Sequence, residues 1–324
     1  MGILIVIAQR TLYGLLLLLA VLVLNFTMIN LAPGDVVDTI AADMGGASAE
    51  LIAQIRAEYG LDQPVIVQLG NYIWRVFQFD LGHSYFYNRP VTEMIFARLP
   101  ATLLLVFSAQ IFALVVGILL GVFAAQRPNG LLSHIVTFFA LFGYAAPVFW
   151  TGILLLIAFS LKIPLFPVAG MRDVTVEGFF PQALSVAHHL VLPMLTLGSI
   201  FIALYSRLCR ASMLEVLGSD YVRTAKAKGL SPRDVTMKHA LKNALPPVVT
   251  LAGLQFSAVI SGAVLVETVF SWPGLGQLAL TSILARDTPT ILGILFFSAL
   301  VVIVGNLLTD LVLRLIDPRV RAKA

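Results

Sequence analysis

The sequence predicts an all-α membrane protein with six transmembrane helices, an outer helical insert between helices 1 and 2, and both termini on the cytoplasmic side. Composition is the first observation behind this: 59% of the 324 residues are hydrophobic and 12% charged, against about 25% charged in soluble domains. The second is segregation of the charges. Windows 11–34, 99–126, 128–161, 178–206, 243–266 and 288–309 contain no Asp, Glu, Lys or Arg, and each is long enough to cross a hydrocarbon layer of about 30 Å. The third is the side on which Lys and Arg fall. With the N-terminus inside, fourteen lie on the inner side, from Arg10 to Lys323, and seven on the outer side, four of those within 35–98. The inner excess sets the orientation, and it accounts for the net charge of +4 without any nucleic-acid partner.

The first window is read as a retained helix, because no small-x-small cleavage site precedes Ala32-Pro33-Gly34-Asp35. The insert at 35–98 carries two amphipathic patterns. Ser48–Tyr59 places Leu51, Ile52, Ile55 and Tyr59 on one stripe, with Gly60 as its stop. Val65–Phe79 repeats the pattern at Ile66, Leu69, Tyr72, Ile73, Val76 and Phe77, with Tyr72 and Trp74 suited to a membrane interface. Two roles stay open for this insert: packing over the bundle, or part of a receiving surface for a partner.

The remaining spans carry close-packing chemistry. Gly117 and Gly121 form a small-xxx-small pair that lets helix backbones approach. Pro147, Pro193 and Pro273 predict kinks or interruptions. Cys209 is the single cysteine, with no internal disulfide open to it, and reads as a small apolar helix residue. His188 and His189 read as an interfacial helix start.

Reaction chemistry is missing from the sequence. It has no HExxH, GxSxG or GxxxxGK[ST] pattern, so no Walker-type ATP site and no catalytic group is expected, and no cofactor or metal is assigned to the chain. The six windows hold no carboxylate or cation to bind a coupling ion, which carriers driven by ion gradients place at mid-membrane. Energy must then come from another protein.

The stretch that offers a contact for such a protein is 219–247, SDYVRTAKAKGLSPRDVTMKHALKNALPP. Ser219 or Asp220 is expected to cap a helix through Tyr221 to Lys228, ended by a left-handed turn at Gly229. Ser231-Pro232 restarts a helix with a hydroxyl cap and proline in the first turn, and Asp234 adds negative charge there. The second helix is expected to stop near Leu245, before Pro246-Pro247. Arg223, Lys226, Lys228, Arg233, Lys238 and Lys242 outnumber Asp220 and Asp234, which suits an acidic groove; anionic lipid attracts such loops as well.

The run YVRTAKAKGLSPRDVTMKHALKNALPPVVT resembles the cytoplasmic coupling motif of ABC importer permeases. Arg223, Thr224 and Ala225 stand at the EAA positions, Gly229 at the glycine, and Leu245-Pro246 at the ending. Arginine in place of the glutamate is similar to the dipeptide, oligopeptide and nickel branch. APGD at 32–35, YGLDQPVIVQ at 59–68, DLGHS at 80–84, RLPATLLL at 98–105 and VETVFSWPGLGQLALTSILARDTP at 266–289 look like the same branch. Val36 stands where that branch usually has proline after Pro-Gly-Asp.

The resemblance implies a type I ABC importer permease fold with segment 1–93 (first helix and external insert), a permease domain at 94–314 and a cytoplasmic tail at 315–324. It implies a bacterial inner-membrane subunit that pairs with a homologous permease, two ATP-binding cassette subunits that bind ATP and Mg, and a periplasmic or lipoprotein solute-binding protein. Tyr221, Arg223, Thr224, Ala225, Lys226, Gly229, Leu230, Leu245 and Pro246 are the implied ATPase-coupling residues. Gly229→Asp is expected to abolish uptake without loss from the membrane. Trp272-Pro273-Gly274 reads either as an external or re-entrant turn beside the pathway or as a structural plug. The implied solute is a di- or oligopeptide; nickel or another metal chelate is the alternative within the branch, and a self-powered secondary carrier the alternative from another class.

Overall fold

The computed structural model describes residues 3–31, 63–84, 86–131, 133–136, 138 and 146–316. The expected helix at 48–59 and the Ala32-Pro33-Gly34-Asp35 motif lie outside them. The regular secondary structure of the described residues is helical apart from one short hairpin: α1 (Ile3–Leu31), α2 (Val65–Phe77), β1 (His83–Ser84) paired antiparallel with β2 (Arg89–Pro90), α3 (Val91–Gln126) and α4 (Val148–Leu156), which continues as a π-helical turn through Lys162. Then come α5 (Phe179–Leu217), α6 (Asp220–Ala227), α7 (Pro232–Leu254), α8 (Phe256–Val269), α9 (Leu275–Leu284) and α10 (Thr288–Ile316).

Four described helices are long and apolar enough to span a membrane, within α1, α3, α5 and α10; the bent pair α7–α8 makes five. The expected count of six is therefore not reached among the described residues. Among the described residues of the window 128–161, the short apolar helix Val148–Lys162 stands out; Pro147 sits at its N-cap and opens a helix instead of kinking one. Pro193 is buried inside a continuous α5, and Pro273 lies in the break between α8 and α9. The window 243–266 does not form one straight rod. It bends by 53° between Leu254 and Phe256.

The described residues within 1–97 and 279–303 form one compact unit. Its packing is aromatic: the Phe96 and Phe297 rings lie 5.3 Å apart edge to face, with Phe79 at 6.5 and 6.2 Å from them. The Ser84 hydroxyl donates to the buried Asp287 carboxylate at 2.6 Å, and the Tyr87 hydroxyl donates to Thr281 Oγ1 at 3.0 Å.

The described residues within 98–278 and 304–324 form the second unit, whose core is the seam of α3, α5, α7 and α8. Gly117 and Gly121 act there as their spacing predicts. A Cβ on Gly117 would fall 2.8 Å from Tyr205 Cβ, and one on Gly121 would fall 2.6 Å from Cys209 Cβ and 2.8 Å from the Ser206 carbonyl. Cys209 is buried at this contact, as a small helix residue. Gly121→Leu is expected to force α3 and α5 apart, at about 1–3 kcal/mol or more; loss of the monodisperse species on heating at a lower temperature than wild type checks it, and an unchanged midpoint refutes it.

Two further glycines shape the bend between α7 and α8. The Thr309 side chain of α10 fills the place of a Cβ on Gly253, and the Phe256 ring fills that on Gly305. Beside the bend the Gln110 amide donates to the Ala252 carbonyl at 3.0 Å and to the Tyr205 hydroxyl at 3.0 Å. A buried carbonyl at a bend needs such a donor, and α3 supplies it.

Candidate functional site

The polar segment after α5 folds as a helical hairpin with its own small core. Val222 and Ala225 of α6 and Val235 of α7 are buried together, with Val216 and Leu217 from the last turn of α5 packed against them. The Ser219 hydroxyl donates back to the Val216 carbonyl at 2.5 Å, and no N–H of α6 bonds to its oxygen. Of the two caps expected, Ser219 or Asp220, Ser219 takes the N-cap position, and its hydroxyl ties the start of α6 to the end of the 39-residue α5.

The turn is as its residues dictate. Gly229 has φ +78°. Its N–H donates to the Lys226 carbonyl at 3.0 Å, and the Leu230 N–H to the Ala225 carbonyl at 3.4 Å. These two bonds are the Schellman pair that ends a helix on a left-handed residue. A Cβ on Gly229 would meet no atom of this chain within 4 Å, so the requirement for glycine inside the chain is conformational and not a matter of crowding. At the start of α7 the Asp234 N–H donates to Ser231 Oγ at 3.1 Å, and that hydroxyl donates to Asp234 Oδ2 at 2.7 Å. Pro232 occupies the first turn, and Lys238 reaches Asp234 at 2.7 Å.

The second helix does not stop at Leu245. It passes through a π-helical stretch at Val235–Leu241 and continues with Pro246 and Pro247 inside it to Leu254. The prolines remove two donors, but Ala244, Val248 and Ala252 are buried in the core of this unit, and that packing carries the helix past them. Leu245 and Pro246 are half-buried.

Of the other residues assigned to coupling, Ala225 is buried, and Tyr221, Arg223, Thr224, Lys226, Gly229 and Leu230 are exposed. Arg223 pairs with Asp220 at 3.3 Å with both side chains in solvent, a contact worth little to stability. The outer face of the hairpin thus combines six cations with exposed apolar groups, Tyr221, Leu230 and Met237. That mixture is what a protein-binding surface needs: aromatic and aliphatic anchors set among charges that steer the partner.

A second arrangement was not anticipated from the sequence. Glu267, one residue past the charge-free window 243–266, is fully buried. Its Oε1 accepts from Thr102 Oγ1 at 2.7 Å; its Oε2 accepts from the Gly276 N–H at 2.6 Å and the Gln277 N–H at 3.2 Å. Thr102 Oγ1 in turn accepts from the Leu275 N–H at 2.7 Å. The carboxylate thereby serves the free N–H groups that open α9 and ties α3, α8 and α9 together. Trp272 is also fully buried, its indole N–H donating to the Ala101 carbonyl at 2.8 Å. Gly274 lies against the Glu267 carboxylate, where a Cβ has no room. Pro273 is half-buried. The sequence did hold a signal for this site: a carboxylate ending an apolar run, followed by Trp-Pro-Gly-x-Gly within ten residues.

Residues 117–322 match the family described as binding-protein-dependent transport system inner membrane component, and residues 3–106 match that family's N-terminal component. This chain belongs to that transport family. Among curated relatives, a putative peptide transport system permease protein of Brucella abortus is 40% identical over 315 residues, covering 97% of this chain and 98% of that one. The dipeptide transport system permease protein DppB of Escherichia coli is 40% identical, covering 94% and 95% of the two chains. The oligopeptide transport system permease protein AppB of Bacillus subtilis is 39% identical, covering 97% and 98%. The fold of the MetNI methionine ABC transporter, solved in inward-facing conformations, superposes with a TM-score of 0.54 at 17% identity, over 69% of this chain and 96% of that chain. The protein is therefore a helical, multi-pass component of a membrane transport system.

Proposed function

We propose that this chain is one of two membrane-spanning permease subunits of an ATP-driven importer that moves di- or oligopeptides handed over by an external solute-binding protein. The names of its relatives, peptide, dipeptide and oligopeptide permeases, support the solute class over a metal chelate. The observation that carries the mechanism is the hairpin. Its α6 is stitched to α5 through Val216 and Ser219, and its small core holds α6 against α7. A push on α6 is then passed into two long helices without being absorbed by a soft loop.

In this reading both termini and the hairpin lie in the cytoplasm, where two ATP-binding cassette subunits bind ATP and Mg. ATP binding brings those subunits together, α6 follows, and α5 and α7 tilt to open the path outward. Hydrolysis returns the inward-facing state. This chain contributes no catalytic group; Tyr221, Arg223, Thr224, Lys226, Gly229 and Leu230 form the contact, and Ala225 fixes the helix that presents them.

Gly229 supplies the test. Aspartate there would have to adopt φ +78°, which Asp and Asn visit more readily than other L residues, and would add a carboxylate at the tip of a basic surface. Gly229→Asp is expected to abolish peptide uptake while the protein reaches the membrane at normal level, with Gly229→Asn, which tolerates this conformation and adds no charge, retaining part of it. Normal uptake by a stably expressed Gly229→Asp protein would overturn the reading. Co-purification from native membrane is expected to recover an ATPase and a second permease.

A further inference from the structure

We propose that α2 is an interfacial helix that lies in the headgroup boundary of the bilayer, with one apolar arc packed on α1 and a second apolar arc against lipid. Successive residues of a helix turn by about 100°, which divides α2 into three arcs. Leu69, Tyr72, Ile73 and Val76 are half-buried or buried, and the Tyr72 ring lies 6.0 Å from Phe26 of α1. Gln68, Asn71 and Arg75 form a polar arc that flanks this buried arc on one side, where Arg75 pairs with Asp80 at 3.5 Å. On its other flank lies an arc of Ile66, Gly70, Trp74 and Phe77; its three side chains are 73%, 66% and 54% exposed. A helix resting on protein alone has no reason to keep this third arc apolar.

Lipid is the occupant that the position favours. α1 has 29 residues, about 43 Å at 1.5 Å rise per residue, so it overreaches a hydrocarbon layer of about 30 Å by about two turns at each end together. Phe26 lies five residues before the end of α1 at Leu31 and within the apolar stretch Ala8–Met28. The contact with Tyr72 therefore sets α2 at the edge of the hydrocarbon. α1 itself exposes Leu12, Leu15, Leu16, Leu19, Val23 and Leu24, the outward apolar surface that a membrane-facing helix presents. Tryptophan at this level, with a polar arc turned to water, is the pattern of a helix that lies in the interface. The inference concerns α1 and α2 alone and does not depend on the solute or on the coupling hairpin.

Spin-label accessibility tests it. Single cysteines are placed at Ile66, Trp74 and Phe77, and at Asn71 and Arg75, in the protein purified with its companions into nanodiscs of phosphatidylethanolamine and phosphatidylglycerol. The native Cys209 is buried, and wild-type protein carried through the same labelling gives the background. Labels at 66, 74 and 77 are expected to collide with oxygen and be shielded from a nickel chelate, at a depth of about 5–10 Å, while labels at 71 and 75 show the reverse. Exposure of all five to the nickel chelate, or shielding of 66, 74 and 77 from both reagents as under a protein partner, would overturn the proposal. So would oxygen preference at all five, which would place the whole helix in hydrocarbon.

Discussion

Glu267→Ala is expected to destabilise the protein more than any other single truncation in the α3–α8–α9 lock. It strips the partner from the Gly276 and Gln277 N–H groups and from the Thr102 hydroxyl at once. An orphaned buried donor costs about 1–3 kcal/mol, so the three together exceed the effect of a typical substitution. Thr102→Val, which removes one hydroxyl from the same network, is expected to fall between Glu267→Ala and wild type in thermal midpoint. Gly274→Ala destabilises for the opposite reason: its methyl group is driven into the carboxylate, an overpacking cost of about 1–3 kcal/mol. The two effects are coupled, because removing the carboxylate makes room for the methyl group. Gly274→Ala should therefore cost less in a Glu267→Ala background than alone, a non-additivity that a double-mutant cycle reads directly. Additive midpoints would show that the two residues do not meet as described.

Adjacent residues of α6 should give contrasting results. Tyr221 is 46% exposed and Val222 fully buried. Tyr221→Ala is expected to leave thermal stability within about 0.5 kcal/mol of wild type, as surface substitutions do. If the hairpin docks an ATPase, the same change removes an aromatic anchor worth about 2 kcal/mol, a loss of about 30-fold in affinity, seen in titration of the purified ATPase and as reduced peptide uptake. Val222→Asp places an unpaired carboxylate among Ala225, Val235, Val216 and Leu217. That change should break the hairpin itself, at about 3 kcal/mol or more, and lower the protein's amount in the membrane as well as its transport. Equal affinity for the ATPase in Tyr221→Ala and wild type would remove α6 from the docking surface.

The hairpin was legible because its signals are local. Ser231-Pro232 with Asp234, and the glycine at 229, satisfy backbone groups within a few residues of themselves, so they read the same in the sequence as in the fold. Gly117 and Gly121 were legible as a contact, though nothing in their spacing named Cys209 and Ser206 as what they meet. Ser219 was legible as the residue before α6, but not its bond, because the carbonyl of Val216 that its hydroxyl meets belongs to the preceding helix. Pro246-Pro247 failed as a stop because burial of Ala244, Val248 and Ala252 outweighs the loss of two donors.

By itself the sequence determined that this is an apolar, helical, membrane-crossing chain with a capped basic hairpin between spans. Those properties follow from charge placement and from residues that act on their immediate neighbours. Only the tertiary structure decided that the window 243–266 bends, that α2 keeps an uncovered apolar arc, and that Glu267 is a buried keystone and not a loop charge. The partner of Glu267 on α3 lies 165 residues away in the chain. A carboxylate's environment is set by what folds around it, and no stretch of neighbouring residues records that.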